Sequence, residues 1–445
     1  MVRKLTPRIA SQSKIGNRDE LERELQIAAE LEHSLCCQYL FAAFSLRQTI
    51  KDFPPRSGQQ RRQRQQLEMI RRWSSSIMLI ARQEMEHLAI VCNLLNAIDG
   101  QLNFNRPNFP QPAKRYPLGV PFLLERLTES ALRRFVCFEK PDDVDGFFWD
   151  HVASDAREDL KALEMLPSAS TRWSSVQELY EQINTAFNTL DPRDIFIGSP
   201  QRQVEQSRFA YRITVLPVTN AAEASQAIGL IVEQGEGIGL TPVMPDESHF
   251  RLFLNILQEF EVARQSMPRF NPTFPVVDNP ALKLHPNAGK GYLVKHHVTR
   301  EVMKLFNDAY YVMLSMLKSW FEKYTGSQMP PQEAAEFYAA FFPLMTMAIR
   351  PLGEMLTRMP ADEDENGRTA GPSFELEEGC FDQSKGVDWF VQKLKELEDQ
   401  ALDLTLRVSS GLSSRMKYLS ENLHSTRLHF EQISRTPGKS VHFPI

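Results

Sequence analysis

The apolar stripes of this chain are interrupted by acids, and those interruptions constrain its fold more than any other feature. Over residues 19–50, Leu21, Leu25, Ala28, Leu35, Tyr39, Ala42 and Leu46 recur at helical spacing, and the one position on that stripe that is not apolar is Glu32. A second helix is expected over 62–99, ending before Gly100. It aligns Trp73, Ile77, Ile80, Val91, Leu94 and Ile98, with Glu84 and His87 set among them. A later helix, from near Pro245 to about Met267, aligns Phe253, Leu257 and Phe260 behind Asp246 and His249. A carboxylate on a core-facing seam is costly unless something pairs with it. Several of them converging in one helical bundle call for a cation.

The spacing of these pairs has its own mechanics. Residues i and i+3 lie about 60° apart around a helix, so both side chains reach one point. A carboxylate and an imidazole presented in this way twice, with a glutamate from each of two further helices, make the four-carboxylate, two-histidine arrangement of dinuclear iron or manganese sites. Glu32 serves for the first helix. A third helix, expected over 220–235 and stopping at QGEGIG, offers Glu233 or Glu236; periodicity does not choose, and Glu236 is preferred. Asp246 is preferred to the adjacent Glu247 because it stands three residues before His249. Four acid-x-x-His pairs occur in the chain against about 1.3 expected by chance, so spacing alone says little. Position separates them: Glu30/His33 falls off the first stripe and Glu421/His424 lies in charged terminal text, and both read as solvated or capping pairs.

The rest of the chain reads as mostly α. KDFPPRSGQQ is a loop, 101–117 is irregular, 118–139 is an extended piece followed by a short helix, and 174–190 has helical spacing. Further helices are expected at 297–324, 331–350 and 386–434, with ADEDENGRTAGP as the most exposed loop. The expected layout is a bundle over 19–267 with an insertion at about 101–219, an irregular connection over 268–296, and a C-terminal helical region over 297–434 packed on the bundle. Hydrophobic residues make up 42% and charged residues 24%, which suits a folded chain able to bury a core. The net charge of −5 argues against a nucleic-acid binder working through bulk positive charge. No apolar run reaches the length of a membrane span, and MVRKLTPRIASQSK lacks an apolar signal region, so a cytoplasmic setting without membrane partners is expected. Cys36, Cys37, Cys92, Cys137 and Cys380 are odd in number and lack CxxC spacing, and they read as reduced thiols. GEGIG follows a helix rather than a strand and is rejected as a nucleotide loop.

The text around the acids carries a resemblance. Glu32-His33-Ser34-Leu35 leads to Gln38-Tyr39-Leu40, and Glu84-Met85-Glu86-His87-Leu88 to Asn93-Leu94-Leu95-Asn96-Ala97-Ile98. Phe135-Val136-Cys137-Phe138-Glu139-Lys140-Pro141, Phe196-Ile197-Gly198, Ile231-Val232-Glu233-Gln234-Gly235-Glu236-Gly237 and Ser248-His249-Phe250 follow in order. Arg350-Pro351-Leu352-Gly353-Glu354 and Ala370-Gly371-Pro372-Ser373-Phe374-Glu375 extend the set. In these residues the chain resembles the ferritin-like domain of iminophenyl-pyruvate dimer synthases from violacein- and rebeccamycin-type pigment pathways, stand-alone bacterial members included. The resemblance implies a ferritin-like four-helix bundle with long insertions and additional C-terminal helices. It also implies a dinuclear metal site, two iron ions with manganese as the alternative, on Glu32, Glu84, His87, Glu236 or Glu233, Asp246 or Glu247, and His249. Asp246 departs from the glutamate expected three residues before the last histidine; being one methylene shorter, it binds in another mode or leaves that task to Glu247.

Three functions follow in order of preference. The first is a di-iron oxidoreductase that uses dioxygen or peroxide on a small organic, amino-acid-derived substrate in a biosynthetic pathway. Carboxylate-rich ligation with imidazole suits iron or manganese and leaves positions open. Tyr39, seven residues after Glu32 on the same stripe, is a candidate redox group or a residue bonded behind the ligands, its plain alternative being a packed core tyrosine. The second is a ferritin-like protein that handles iron without organic turnover, for which a minimal bundle would suffice. The third is a scaffold with an empty site, which leaves the buried carboxylates to be paired internally. His296 and His297 open a helix and read as an exposed pair without a metal, and the helix at 386–434 either caps its own bundle, the preferred reading, or builds a homo-oligomer.

Overall fold

The computed structural model describes residues 15–54, 60–111, 115–116, 119–141, 173, 175–205, 214–236, 248–267, 270–284, 291–323, 341–364, 367–383 and 385–435. Helix α1 (Arg18–Phe44) starts where the Asn17 side chain accepts from the Glu20 amide at 2.9 Å, with Asp19 and Glu20 in its first turn against the positive end of the dipole. It ends at Phe44, six residues short of the expected end, because Leu46 leaves the helix to bridge Thr273. Helix α2 (Gln60–Ala97) runs antiparallel to it, bringing the Ile98 carbonyl to the Arg18 guanidinium at 2.9 Å. From Glu86 to Ala97 every residue of α2 is buried, the mark of a central helix.

The segment expected as an insertion supplies two helices to this pair. Helix α3 (Glu129–Phe138), capped by Thr128, packs on α6, and α4 (Val176–Thr189), capped by Ser175, packs on α1 and α5. Helices α5 (Ala221–Glu236) and α6 (His249–Ser266) lie on α2 and on each other. Ser248 caps α6, which places His249 as its first residue.

The C-terminal part adds α7 (His297–Lys323), a π turn at Leu344–Ile349 running into α8 (Arg350–Leu356), α9 (Val387–Thr405) and α10 (Ser410–Arg435). Residues 324–340, which include the start of the helix expected at 331–350, lie outside the described residues. The single helix expected over 386–434 is a hairpin: the chain turns at 406–409, before a Ser-Ser-Gly run, and folds α10 back until Phe430 meets Phe390 at 5.8 Å between ring centroids. The acidic segment expected as an exposed loop is anchored at both ends, since Ala361 and Ala370 are buried and the Ala361 amide donates to Arg368. One apolar cluster runs from Leu21 in α1 to Phe430 in α10, so the C-terminal helices share the core of the bundle. Among the described residues no helix is long and apolar enough to cross a membrane.

Two glycines are required by close approach. Gly353 lets α8 lie on Phe44, where a Cβ would come within 2.6 Å of the ring. Gly198 lies over the end of α2, its amide donating to the Ala97 carbonyl at 3.0 Å, and a Cβ there would overlap the Asn96 carbonyl and stand 2.9 Å from that of Ala97. Both obstacles are backbone and cannot swing aside. Gly198→Ala is expected to lower stability by roughly 3 kcal/mol, at the upper end of single-residue effects; a urea midpoint unchanged from wild type would show that this contact carries no such constraint.

Candidate metal centre

Four helices bring five chemistry-bearing side chains to one buried point. Glu32 comes from the middle of α1, Glu84 and His87 from one face of α2, Glu139 from the C-terminal cap of α3, and His249 from the first turn of α6. Their exposures are 1% for Glu32, 1% for Glu84, 2% for His87, 5% for Glu139 and 0% for His249. The groups form two sets, Glu32/Glu84/His87 and Glu84/Glu139/His249, each able to bring one ligand atom per residue within 4.8 Å of the others. Glu84 belongs to both. His87 Nδ1 stands 3.4 Å from Glu32 Oε2 and 3.5 Å from Glu84 Oε2, while His249 Nδ1 stands 2.9 Å from Glu84 Oε1 and 3.5 Å from Glu139 Oε2. The two imidazoles stack at 5.4 Å between centroids.

A ring of polar partners fixes these groups. His87 Nε2 is held by Gln234 Oε1 at 2.9 Å, from α5, and His249 Nε2 by Gln83 Oε1 at 3.2 Å. An amide oxygen only accepts, so each Nε2 carries a proton and each Nδ1 faces the carboxylates. The Tyr39 hydroxyl donates to Glu139 and the Tyr180 hydroxyl, from α4, donates to Glu32. Burial and the neighbouring carboxylates, Glu139 for Tyr39 and Glu32 for Tyr180, push both phenols well above their usual range, so both stay protonated donors.

The electrostatics of the cluster are those of a cation site. Burial, then the charge of Glu84, raise Glu32 to about 7. Burial and Glu139 would raise Glu84 as well, yet His249 and His87 outweigh them and hold it below the usual carboxylate value. Burial opposes a charge on the imidazoles, but Glu84 and Glu139 carry His249 to about 9, and hydrogen bonds donated to Glu32 and Glu84 carry His87 well above its normal value. Protons thus take the place of positive charge. The fit to a metal is shown by Glu84 Oε1 and His249 Nδ1: they lie 2.9 Å apart but out of hydrogen-bond alignment, and neither has a hydrogen-bond partner. Orphaned, buried and mutually facing donor atoms on hard carboxylate and imidazole groups suit a divalent first-row ion.

Of the side chains expected to meet here, Glu32, Glu84, His87 and His249 do so. Glu233 lies half-buried on α5 and is in neither set. Glu236 is the last residue of α5, its side chain outside the described residues, as are Asp246 and Glu247 altogether. Gly235, beside Glu236, lies against Glu139. Sequence reasoning did not single out Glu139 and Tyr180. The signal for Glu139 was present, because it continues the Leu132–Phe135 spacing of α3 as an acid on an apolar stripe; Tyr180 had none that separates it from a core tyrosine. Glu30 and His33, expected to be solvated or capping, are buried. Glu30 binds Arg115 and Tyr116, and His33 meets Tyr310 of α7, which covers the second face of α1. A third possible ligand group, His296, His297 and Glu363, sits at the surface.

A bundle that presents two such sets is the architecture of ferritin-like proteins, and this chain belongs to that family: the family model described as Ferritin-like matches residues 25–258. The chain is similar to the dichlorochromopyrrolate synthase of Lentzea aerocolonigenes, at 27% identity over 400 residues, covering 82% of this chain and 36% of that protein. It is also similar to the 2-imino-3-(indol-3-yl)propanoate dimerase of Chromobacterium violaceum, at 29% identity over 391 residues, covering 82% of this chain and 35% of that protein. It spans about a third of the length of these curated relatives. A crystal structure of a ferritin-like protein from Caulobacter vibrioides matches with a TM-score of 0.44 and 17% identity, over 73% of this chain and 96% of that chain.

The raised His249 gives the metal-free protein a defined pH dependence. Its folded value of about 9 exceeds the unfolded 6.5, so its proton stabilises the fold fully below pH 6.5, and this contribution is lost as pH rises through about 9. Glu32 and His87 are raised and act with the same sign, whereas Glu84 is held low and acts only at acid pH. The thermal midpoint of metal-free protein is expected to fall between pH 6.5 and 9, with up to about 3 kcal/mol lost from His249. His249→Gln is expected to flatten the fall, and a wild-type profile level over this range would contradict the assignment.

Proposed function

We propose that the chain is a dinuclear metal-dependent oxidative enzyme acting on a small organic substrate. The observation that carries this reading is the sharing of Glu84 between two buried carboxylate–imidazole sets. Glu32 and His87 would hold one ion, Glu139 and His249 the other, with Glu84 between them. Glu236, with Glu233 as the alternative, and Asp246, with Glu247 as the alternative, are proposed as further ligands from the neighbouring segments. Iron is the preferred metal and manganese the alternative, since hard carboxylates with imidazole suit both. When bound, such a pair supplies one- and two-electron chemistry with dioxygen or peroxide.

The chain's own residues prepare the site for that chemistry. Gln83 and Gln234 hold the Nε2 side and the tilt of the imidazoles, so each Nδ1 faces the carboxylates, where an arriving ion would displace its proton. Tyr39 and Tyr180 each tie up one oxygen of Glu139 and Glu32, which restrains those carboxylates from rotating. The near-complete burial of all five groups excludes bulk water and strengthens every charge interaction among them. The relatives named for a synthase and an indolyl-imine dimerase support a biosynthetic role on an aromatic amino-acid-derived substrate.

Metal analysis tests the assignment. Wild type loaded anaerobically with ferrous iron is expected to hold about two ions per chain. Glu139→Ala should retain about one, and Glu84→Ala/His87→Ala, which removes the shared carboxylate, well under one. Wild type that binds no metal would sink the proposal. Two ions bound without oxygen consumption on addition of indole- or phenyl-bearing 2-imino acids would shift the reading to metal handling.

A further inference from the structure

The bundle holds a cavity of about 760 Å³ at the end opposite the metal centre. Phe53, Arg62, Gln66, Arg126, Phe260 and Phe270 are among the residues that line it. Along α6 the chain rises about 25 Å from His249 to Ser266, which lies at the cavity, so the two places are separate. The volume falls in the range of small-molecule sites.

One wall is rigid and aromatic. Phe260 stacks on Trp73 at 5.7 Å, and Phe270 meets both rings edge-on, at 6.0 Å from Trp73 and 5.5 Å from Phe260. Trp73 is itself pinned by its indole N–H to Glu259 at 2.8 Å. The charged residues of the lining are both arginines, Arg62 and Arg126. The acids nearest to Arg126 in sequence are already engaged: Glu125 pairs with Arg134, and Glu129 lies 2.6 Å from both Arg133 and Arg264. The ion pairs among the described residues include neither Arg62 nor Arg126. Helices α2 and α3 begin at the cavity and α6 ends there, so two positive helix ends face one negative end. A preformed aromatic wall beside uncommitted guanidinium groups selects a flat apolar body carrying an anion, and guanidinium matches carboxylate in two parallel hydrogen bonds.

We propose that this cavity is a second small-molecule site that takes an aromatic carboxylic acid, its ring against Phe260 and Phe270 and its carboxylate on Arg62 and Arg126. The site is distinct from the metal centre and does not depend on it.

Titration calorimetry with naphthalene-2-carboxylate, and with naphthalene-2-carboxamide as the uncharged control, tests this on the full chain. Saturable binding of the carboxylate is expected, at least tenfold weaker for the carboxamide. It should weaken at least tenfold in Arg62→Ala/Arg126→Ala and remain unchanged in Glu84→Ala/His87→Ala. Arg62 is exposed on α2, so Arg62→Ala alone gives the reading if the double variant does not fold. Absence of saturable binding, equal affinity for the carboxamide, or loss in the metal-centre variant with none in the arginine variants would each overturn the proposal.

Discussion

Everything around the centre answers to one electrostatic fact: Glu32, Glu84 and Glu139 lie together out of water. Each carboxylate removed from solvent costs several kcal/mol, and placing three within reach of one another adds mutual repulsion. Two imidazoles offset part of this, and they do so only by holding protons that burial alone would strip from them. A fold selected for stability alone would place apolar groups of similar volume here. That the chain spends four helices on assembling these groups is the argument that the cluster exists for something bound to it.

The same fact explains why α1 is buried on nearly all sides. One face carries Glu32 and Tyr39 toward the centre; the next, turned by a single residue, carries His33 and Cys37 toward Tyr310 of α7. A helix with polar groups on both faces cannot leave either in a partly wet groove without losing the hydrogen bonds that satisfy them. α7 and α8 therefore act as the second wall of α1, with Gly353 letting α8 close onto Phe44. The C-terminal helices also keep water from the back of the helix that supplies Glu32.

How much of this could be read from the sequence depends on the kind of signal. Glu32, Glu84, His87 and His249 were visible because each replaces an apolar residue on a long stripe, where the expectation is strong and a violation stands out. Glu139 obeys the same rule on α3, but a helix of ten residues gives too few turns for one acid at its end to look misplaced. Tyr180 violates nothing, since a phenol is welcome in a core; only the tertiary contact with Glu32 gives it a role. Glu30 and His33 were misjudged for a related reason. Periodicity identifies the face turned to the nearest partner, and cannot see that a helix nearly 280 residues later covers the other. The break at 406–409 escapes periodicity because its apolar spacing continues across the turn, Leu404 to Val408, before the Ser409 carbonyl accepts from the Leu412 and Ser413 amides at the start of α10.

The partners of the clustered carboxylates and imidazoles bear on what an ion held there could do. Histidines at metal sites commonly lean on a carboxylate, which makes the imidazole a stronger donor. Here both lean on neutral amides, Gln234 and Gln83, so that strengthening is absent. Tyr39 and Tyr180 act in the same direction, since a phenol donating to a carboxylate oxygen draws density away from any cation that the carboxylate holds. Both effects weaken stabilisation of the higher charge state relative to an undecorated carboxylate set. The three carboxylates supply charge in quantity, and the four neutral partners limit how much of it reaches a bound ion. On the oxidative reading proposed above, such restraint would ease the return of electrons after a substrate is oxidised.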